Sequence, residues 1–170
     1  MFSIEVEVKS KKWLKYINIE KFITTTAIKI CCLLPLNDFK KTNFVLSFSL
    51  SSNLQIKRIN HLYRNKNHPT DVLSFSNLDE EVIRKKGLKY ALNGQSFFLL
   101  GDLIFGLEYI EKHCQDHNVD FNDHLTHLIL HGILHIIGYD HEIGDEQAKI
   151  MENLEIKILK KLNIKNPYNR

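Results

Sequence analysis

The chain has 170 residues, 44% hydrophobic and 25% charged, with only seven Gly and three Pro. This is enough apolar material for one globular domain over residues 1–170 with a proper core, and it excludes a chain dominated by disordered linker. The formal charge of +3 is mildly basic, so it permits an anionic partner such as RNA without requiring one.

Residues Phe2 to Val8 alternate in polarity and carry two acids, which predicts a strand and not a signal peptide. Ile19 to Leu34 has helical spacing, with apolar Phe22, Ile23, Ala27, Ile30 and Cys31; the β-branched Thr24-Thr25-Thr26 run weakens it. Cys31 and Cys32 lie in the apolar run Ile28 to Leu34. An adjacent pair plus Cys114 is a poor disulfide framework, so buried, reduced thiols are expected, and no CxxC pair offers a thiolate metal site. Asn43 to Ser49 alternates as a strand. Asn53 is placed to cap a helix over Leu54 to Arg64, with Ile56, Ile59, Leu62 and Tyr63 as its buried stripe. Pro69 ends that pattern, and Asp71 to Phe75 reads as a strand.

Asn77 to Gly94 is charge-rich and predicts a surface excursion with room for a short helix. Ser96 to Phe105 is the apolar run expected of a central strand. Leu107 to Cys114, Asp120 to Ile137 and Asp145 to Leu162 follow as helices, the last with apolar Ile150, Met151, Leu154, Ile158 and Leu159. Strands and helices mix without regular βαβ alternation, which favours an α+β fold. No apolar run approaches the roughly 18 residues that span a bilayer, so a cytoplasmic location is expected, with no membrane partner.

The chemistry concentrates in His131-Gly132-Ile133-Leu134-His135-Ile136-Ile137-Gly138-Tyr139-Asp140-His141. Four residues apart on a helix, His131 and His135 lie on one face. Gly138 can adopt the left-handed conformation that ends a helix, letting the chain return His141 as a third ligand. Three protein nitrogens and one open position describe a catalytic zinc site, whereas structural sites close with four protein ligands. The alternative is an amphipathic helix with hydrogen-bonded histidines; the glycine turn and the third histidine weigh against it.

Of nine histidines, most are not expected to bind. His124 lies seven residues before His131, a rise of roughly 10 Å, too far to share an ion. His127 could pair with His131 but has no glycine turn to bring a third donor, so a supporting or core role suits it better. His61, His68, His113 and His117 are expected at the surface.

H-x3-H-x5-H is also the spacing of the metzincin peptidases, which need Glu directly after the first His as general base. Here that position is Gly132. Asp140 and Glu142 flank the third histidine, where they could orient it. Met151, ten residues after His141, fits a helix core better than a Met-turn.

The segment His131-Gly132-x-Leu134-His135-x-x-Gly138-Tyr139-Asp140-His141 resembles the HGxLHxxGYDH signature of the YbeY family, bacterial endoribonucleases that mature ribosomal RNA. Three further blocks agree in order: Tyr63-Arg64 with Pro69-Thr70-Asp71-Val72-Leu73-Ser74-Phe75, then Leu100-Gly101-Asp102-Leu103-Ile104, then Met151-x-x-Leu154-Glu155 with Ile158-Leu159. Ser76 departs from the family's usual Pro, and 77–95 has no counterpart in the pattern.

The resemblance implies a zincin-like α+β fold, with a small mixed sheet and the motif helix beneath a cleft. It implies one Zn²⁺ per chain on His131, His135 and His141, with Arg64 facing the metal across the cleft as an activity residue. It further implies a role in 16S rRNA 3′-end maturation and ribosome quality control, with the small subunit as partner and no DNA substrate. Arg64 has the donor fork that suits phosphate; taken alone it would be an ordinary helix-end arginine. Single-stranded RNA is the expected substrate, because a cleft reaches a splayed phosphate more readily than one in a duplex. Two basic runs, Lys57, Arg58, Arg64 and Lys66, then Arg84-Lys85-Lys86 and Lys89, can track an RNA backbone or form solvated faces. The residues leave open whether a metal-activated hydroxide or the RNA 2′-OH attacks, and name no general base beyond weak candidates His127 and Asp140. The rival class is a non-enzymatic ribosome-binding factor with a structural metal, against which the missing fourth ligand argues.

Overall fold

The computed structural model describes residues 1–34, 36, 42–92 and 96–168. Four strands, β1 (Phe2–Val8), β2 (Asn43–Ser51), β3 (Val72–Ser76) and β4 (Phe97–Gly106), form one sheet in the order β1-β2-β4-β3. β1, β2 and β4 run parallel, and β3 lies antiparallel on the edge of β4. The sheet is thus small and mixed, and β4 is internal, as its apolar run predicts.

Around it lie α1 (Ile19–Leu33), α2 (Asn53–Arg64), the short α3 (Glu80–Lys86) and α4 (Leu88–Ala91), then α5 (Leu107–His117), α6 (Phe121–Ile136) and α7 (Asp145–Lys161). The fold is α+β. α1 packs on β1 and α6, α6 packs on β3 and β4, and α7 packs on α6. The core between these layers holds Phe44, Phe48, Leu103, Phe105, Ile129 and Ile133, all nearly inaccessible. No helix among the described residues is long and apolar enough to cross a membrane.

Several local expectations are corrected. α2 is capped by Ser52, whose side chain accepts from the Gln55 amide while Gln55 reaches back to the Ser52 amide, a reciprocal capping box. Asn53, expected as the cap, instead ties α2 to α5: its amide donates to Glu108 and its side chain accepts from the Tyr109 amide. The buried face of α2 is Ile56 with Asn60, whose side-chain amide donates to the His68 carbonyl at 2.8 Å. Leu62 and Tyr63, placed in the buried stripe by periodicity, are 71% and 66% exposed. A buried asparagine whose amide nitrogen donates to a loop carbonyl replaces the apolar contact, and hydrophobic periodicity carries no signal for it.

Trp13 sits in an unpredicted 3₁₀ turn at Lys11–Lys15, fully buried, and donates to the Ser51 carbonyl. Of the cysteines only Cys31 is buried, its thiol pushed up to about 12 by burial; Cys32 is exposed and Cys114 half-buried. The 77–94 excursion holds α3 and α4, with 93 and 94 outside the described residues. In α7, Met151 is buried in the core, as its helical spacing predicts, while Ile150 faces outward.

Candidate metal centre

α6 starts at Asp120, whose carboxylate accepts from the amides of Asn122 and Asp123, satisfying two of the free donors of the first turn. Leu125, Ile129, Ile133 and Ile136 bury one side of the helix. At Gly132 the helix meets the sheet so closely that a Cβ would lie 2.0 Å from Leu103 Cδ2 and 3.1 Å from Ser74 Oγ. That close seat on β3 and β4 fixes the height at which His131 and His135 stand.

The helix ends in a Schellman turn: the Gly138 amide donates to the His135 carbonyl and the Tyr139 amide to the Leu134 carbonyl, both at 3.0 Å. The turn needs positive φ at its glycine, and Gly138 has φ of 95°. A side chain there would also strike Ile83 of α3, with a Cβ 2.6 Å from its Cγ2. The following loop is tightened by the Glu142 amide donating to Asp140, and it swings His141 back over the helix.

The three rings converge. His131 and His135 present Nε2 atoms 3.2 Å apart, and the His141 ring centroid lies 5.1 and 5.0 Å from theirs. One nitrogen from each lies within 4.8 Å of the others, a set able to hold a metal ion. Nitrogens bound tetrahedrally at ~2.1 Å stand ~3.4 Å apart, so the His131–His135 edge is close to that of a zinc site. A ligand imidazole must be neutral. Burial, reinforced by the neighbouring rings of His131 and His141, brings the His135 pKa down to about 4, against a smaller opposing pull from Asp140 and Glu142.

Behind His131 stands Glu155 of α7, 1% exposed, with Oε1 3.0 Å from His131 Nδ1. An ionised carboxylate only accepts, so Nδ1 carries the proton and Nε2 is left bare toward His135. Its other oxygen accepts from the Tyr168 hydroxyl. Burial alone would raise the Glu155 pKa, but His127, His131 and Tyr168 together hold it at about 2. Of the two imidazoles, His131 has hydrogen-bond geometry; His127 Nε2, at 3.5 Å from Oε1, acts by proximity without a hydrogen bond. His127, His131 and Glu155 form a second group close enough to hold an ion.

Arg64, the last residue of α2, lines the same cleft, with Nη2 3.3 Å from Glu142 Oε1. Both side chains are substantially exposed.

A family model described as Endoribonuclease YbeY matches residues 6–163. The chain belongs to the YbeY family. An Endoribonuclease YbeY of Bartonella bacilliformis is 36% identical over 99% of this chain and 98% of its own length. One from Francisella tularensis subsp. mediasiatica is 38% identical over 72% of this chain and 70% of its own. The solution structure of TM1509 from Thermotoga maritima shares the fold at a TM-score of 0.53 and 24% identity, with both chains fully covered.

All four residues singled out in this YbeY chain, Arg64, His131, His135 and His141, therefore line one cleft. Asp140 and Glu142, expected to orient His141, do otherwise: Asp140 folds the loop and Glu142 pairs with Arg64. The carboxylate that orients one of the three histidines is Glu155, on His131. His61 and His68 are exposed, but His113 is half-buried, its ring stacked 4.2 Å from that of His124 on the cleft wall. The basic runs divide: Arg64, Lys66 and Arg84 face the cleft, whereas Lys85 pairs with Glu81 and Lys86 lies over the Tyr90 ring. Glu155 and Tyr168 escaped sequence reasoning as site residues. The only available signal was the Leu154-Glu155 pair within the last family block.

Proposed function

We propose that this chain, acting as one domain, is a zinc-dependent endoribonuclease that cuts single-stranded RNA. His131, His135 and His141 hold one Zn²⁺, and Arg64 binds the scissile phosphate. The observation that carries this reading is a cradle of three convergent imidazole nitrogens, opening on a cleft faced by Arg64. A zinc ion held there supplies Lewis-acid chemistry to the phosphoryl group and the attacking oxygen.

The protein's part is arrangement. Glu155 keeps His131 in the tautomer a ligand needs, and burial keeps His135 neutral. Arg64 offers its planar fork to the phosphate once it leaves Glu142, an exchange of one anion for another at an exposed site where the existing pair is worth ~0–1 kcal/mol. Lys66 and Arg84 neutralise phosphates along the same cleft. Following what the signature resemblance implies, the reading extends to ribosomal RNA as the substrate, the 3′ end of 16S rRNA as the target, the small subunit as the partner and the cytoplasm as the setting.

The test combines metal analysis with cleavage of a labelled single-stranded RNA. The purified chain should carry one zinc, and cleavage should vanish on chelation, return with zinc, and be absent in His135→Ala. Cleavage that persists in His135→Ala after chelation would sink the proposal.

A further inference from the structure

Beyond α7 the chain turns back on itself. Asn163, with φ of 60°, closes a second Schellman turn: its amide donates to the Lys160 carbonyl and the Ile164 amide to the Leu159 carbonyl. The segment 164–168 then runs along α6 as one wall of the cleft. The charge of Lys165 acts on Asp123, in the first turn of α6. One turn further along, the Tyr168 ring meets His127 edge-on at 5.8 Å, and its amide donates to the Asn166 side chain at 2.9 Å. Its hydroxyl donates to Glu155 Oε2. The YbeY family match ends at residue 163, so this wall is built from residues outside it.

We propose that Tyr168 is a positioning residue for the metal centre, locking the Glu155 carboxylate so that its other oxygen stays on His131 Nδ1. The need for a lock follows from the geometry. Glu155 is buried, and two imidazoles compete for Oε1: His131 at 3.0 Å, and His127 at 3.5 Å with a buried Nε2 that has no hydrogen-bond partner. A carboxylate free to turn would give His127 that bond and release His131 to rotate. With Oε2 held by Tyr168, the carboxylate plane is fixed and Oε1 remains on His131.

The same arrangement decides between the two candidate metal groups. Glu155 accepts hydrogen bonds on both sides, from His131 Nδ1 and from the Tyr168 hydroxyl. An ion at His127–His131–Glu155 would need His131 deprotonated on both nitrogens while the first site is filled. Glu155 is therefore the partner of a ligand and not a ligand itself.

The inference rests on the metal-centre reading above, and the experiment separates the two. Zinc affinity is measured by chelator competition on the full-length wild type, Tyr168→Phe, Glu155→Gln and the double variant, with visible spectra of the Co²⁺-loaded proteins and melting curves of the metal-free ones. Glu155→Gln should weaken zinc about 10–100-fold and Tyr168→Phe about 10-fold. The double variant should be no weaker than Glu155→Gln alone, because Tyr168 acts through Glu155. The cobalt bands should shift in Tyr168→Phe, while its metal-free form still melts in one cooperative transition. Unchanged zinc affinity and cobalt bands in Tyr168→Phe, multiplying losses in the double variant, or two zinc ions per wild-type chain would each overturn the assignment. Failure of the wild type to bind zinc or cobalt would overturn the metal reading itself.

Discussion

Two carboxylates flank the histidine cradle, and they behave in opposite ways. Glu155, on the α7 side, is buried and accepts hydrogen bonds from two directions, so it fixes the orientation of the His131 ring in advance. Glu142, in the loop after Gly138, is more than half exposed and meets Arg64 through one nitrogen at 3.3 Å. Charge and residue type are the same; desolvation separates a permanent clamp from an exchangeable placeholder. One wall of the cleft is prepared in advance; in the function proposed above, the other is left for the substrate to complete.

Experiments can press on each side of that contrast. Replacing Arg64 by Ala should lower RNA cleavage by about 10²–10³-fold, the scale of losing one transition-state donor, with zinc content and melting midpoint preserved; loss of zinc in this variant would mean that Arg64 supports the metal side after all. The clamp should show itself in acid. In the metal-free protein the Glu155 pKa is depressed to about 2 from an ordinary 4.5. Its contribution is therefore complete above pH 4.5 and is lost as pH falls toward 2. It is on the order of 3 kcal/mol, and Glu155→Gln should remove that slope from an acid-denaturation series.

The turn joining the walls can be strained with Gly138→Ala, which forces positive φ on alanine and crowds Ile83; about 1–3 kcal/mol of stability should go, together with zinc affinity. The smallest effect belongs to the placeholder. Glu142→Gln should change stability by less than ~1 kcal/mol and tighten RNA binding through a lower KM. A large loss of stability there would erase the distinction between the two carboxylates.

How much of this was legible beforehand depended on whether a feature is local in sequence. The cradle was legible because its signals are local: a four-residue spacing on one helix face, a glycine where a Schellman turn needs positive φ, and a histidine just beyond. β1 and β2 were legible from alternation and β4 from its continuous apolar run, whereas the Asp120 cap of α6 emerged only in the structure. Glu155 was not, because it reaches His131 from a different helix, 24 residues on, only after α7 packs on α6. Tyr168 depends on one further turn of chain. The inward face of α2 was misread because Asn60 is buried by a hydrogen bond to the His68 carbonyl. The cap of that helix was misassigned because Ser52 and Asn53 are adjacent and equally suited to the task; Gln55, three residues after Ser52, was the clue.

The close seat of α6 on the sheet has an evolutionary consequence. The position following the first histidine is where the metzincins keep their general base, and here Leu103 and Ser74 occupy the space its side chain would need. A Gly132→Glu substitution would not simply graft peptide hydrolysis onto this cradle; the buried Leu103 side chain would first have to give way beneath the helix that carries two of the three histidines. In this chain, passage from one chemistry to the other therefore runs through the packing of the sheet as well as through the site.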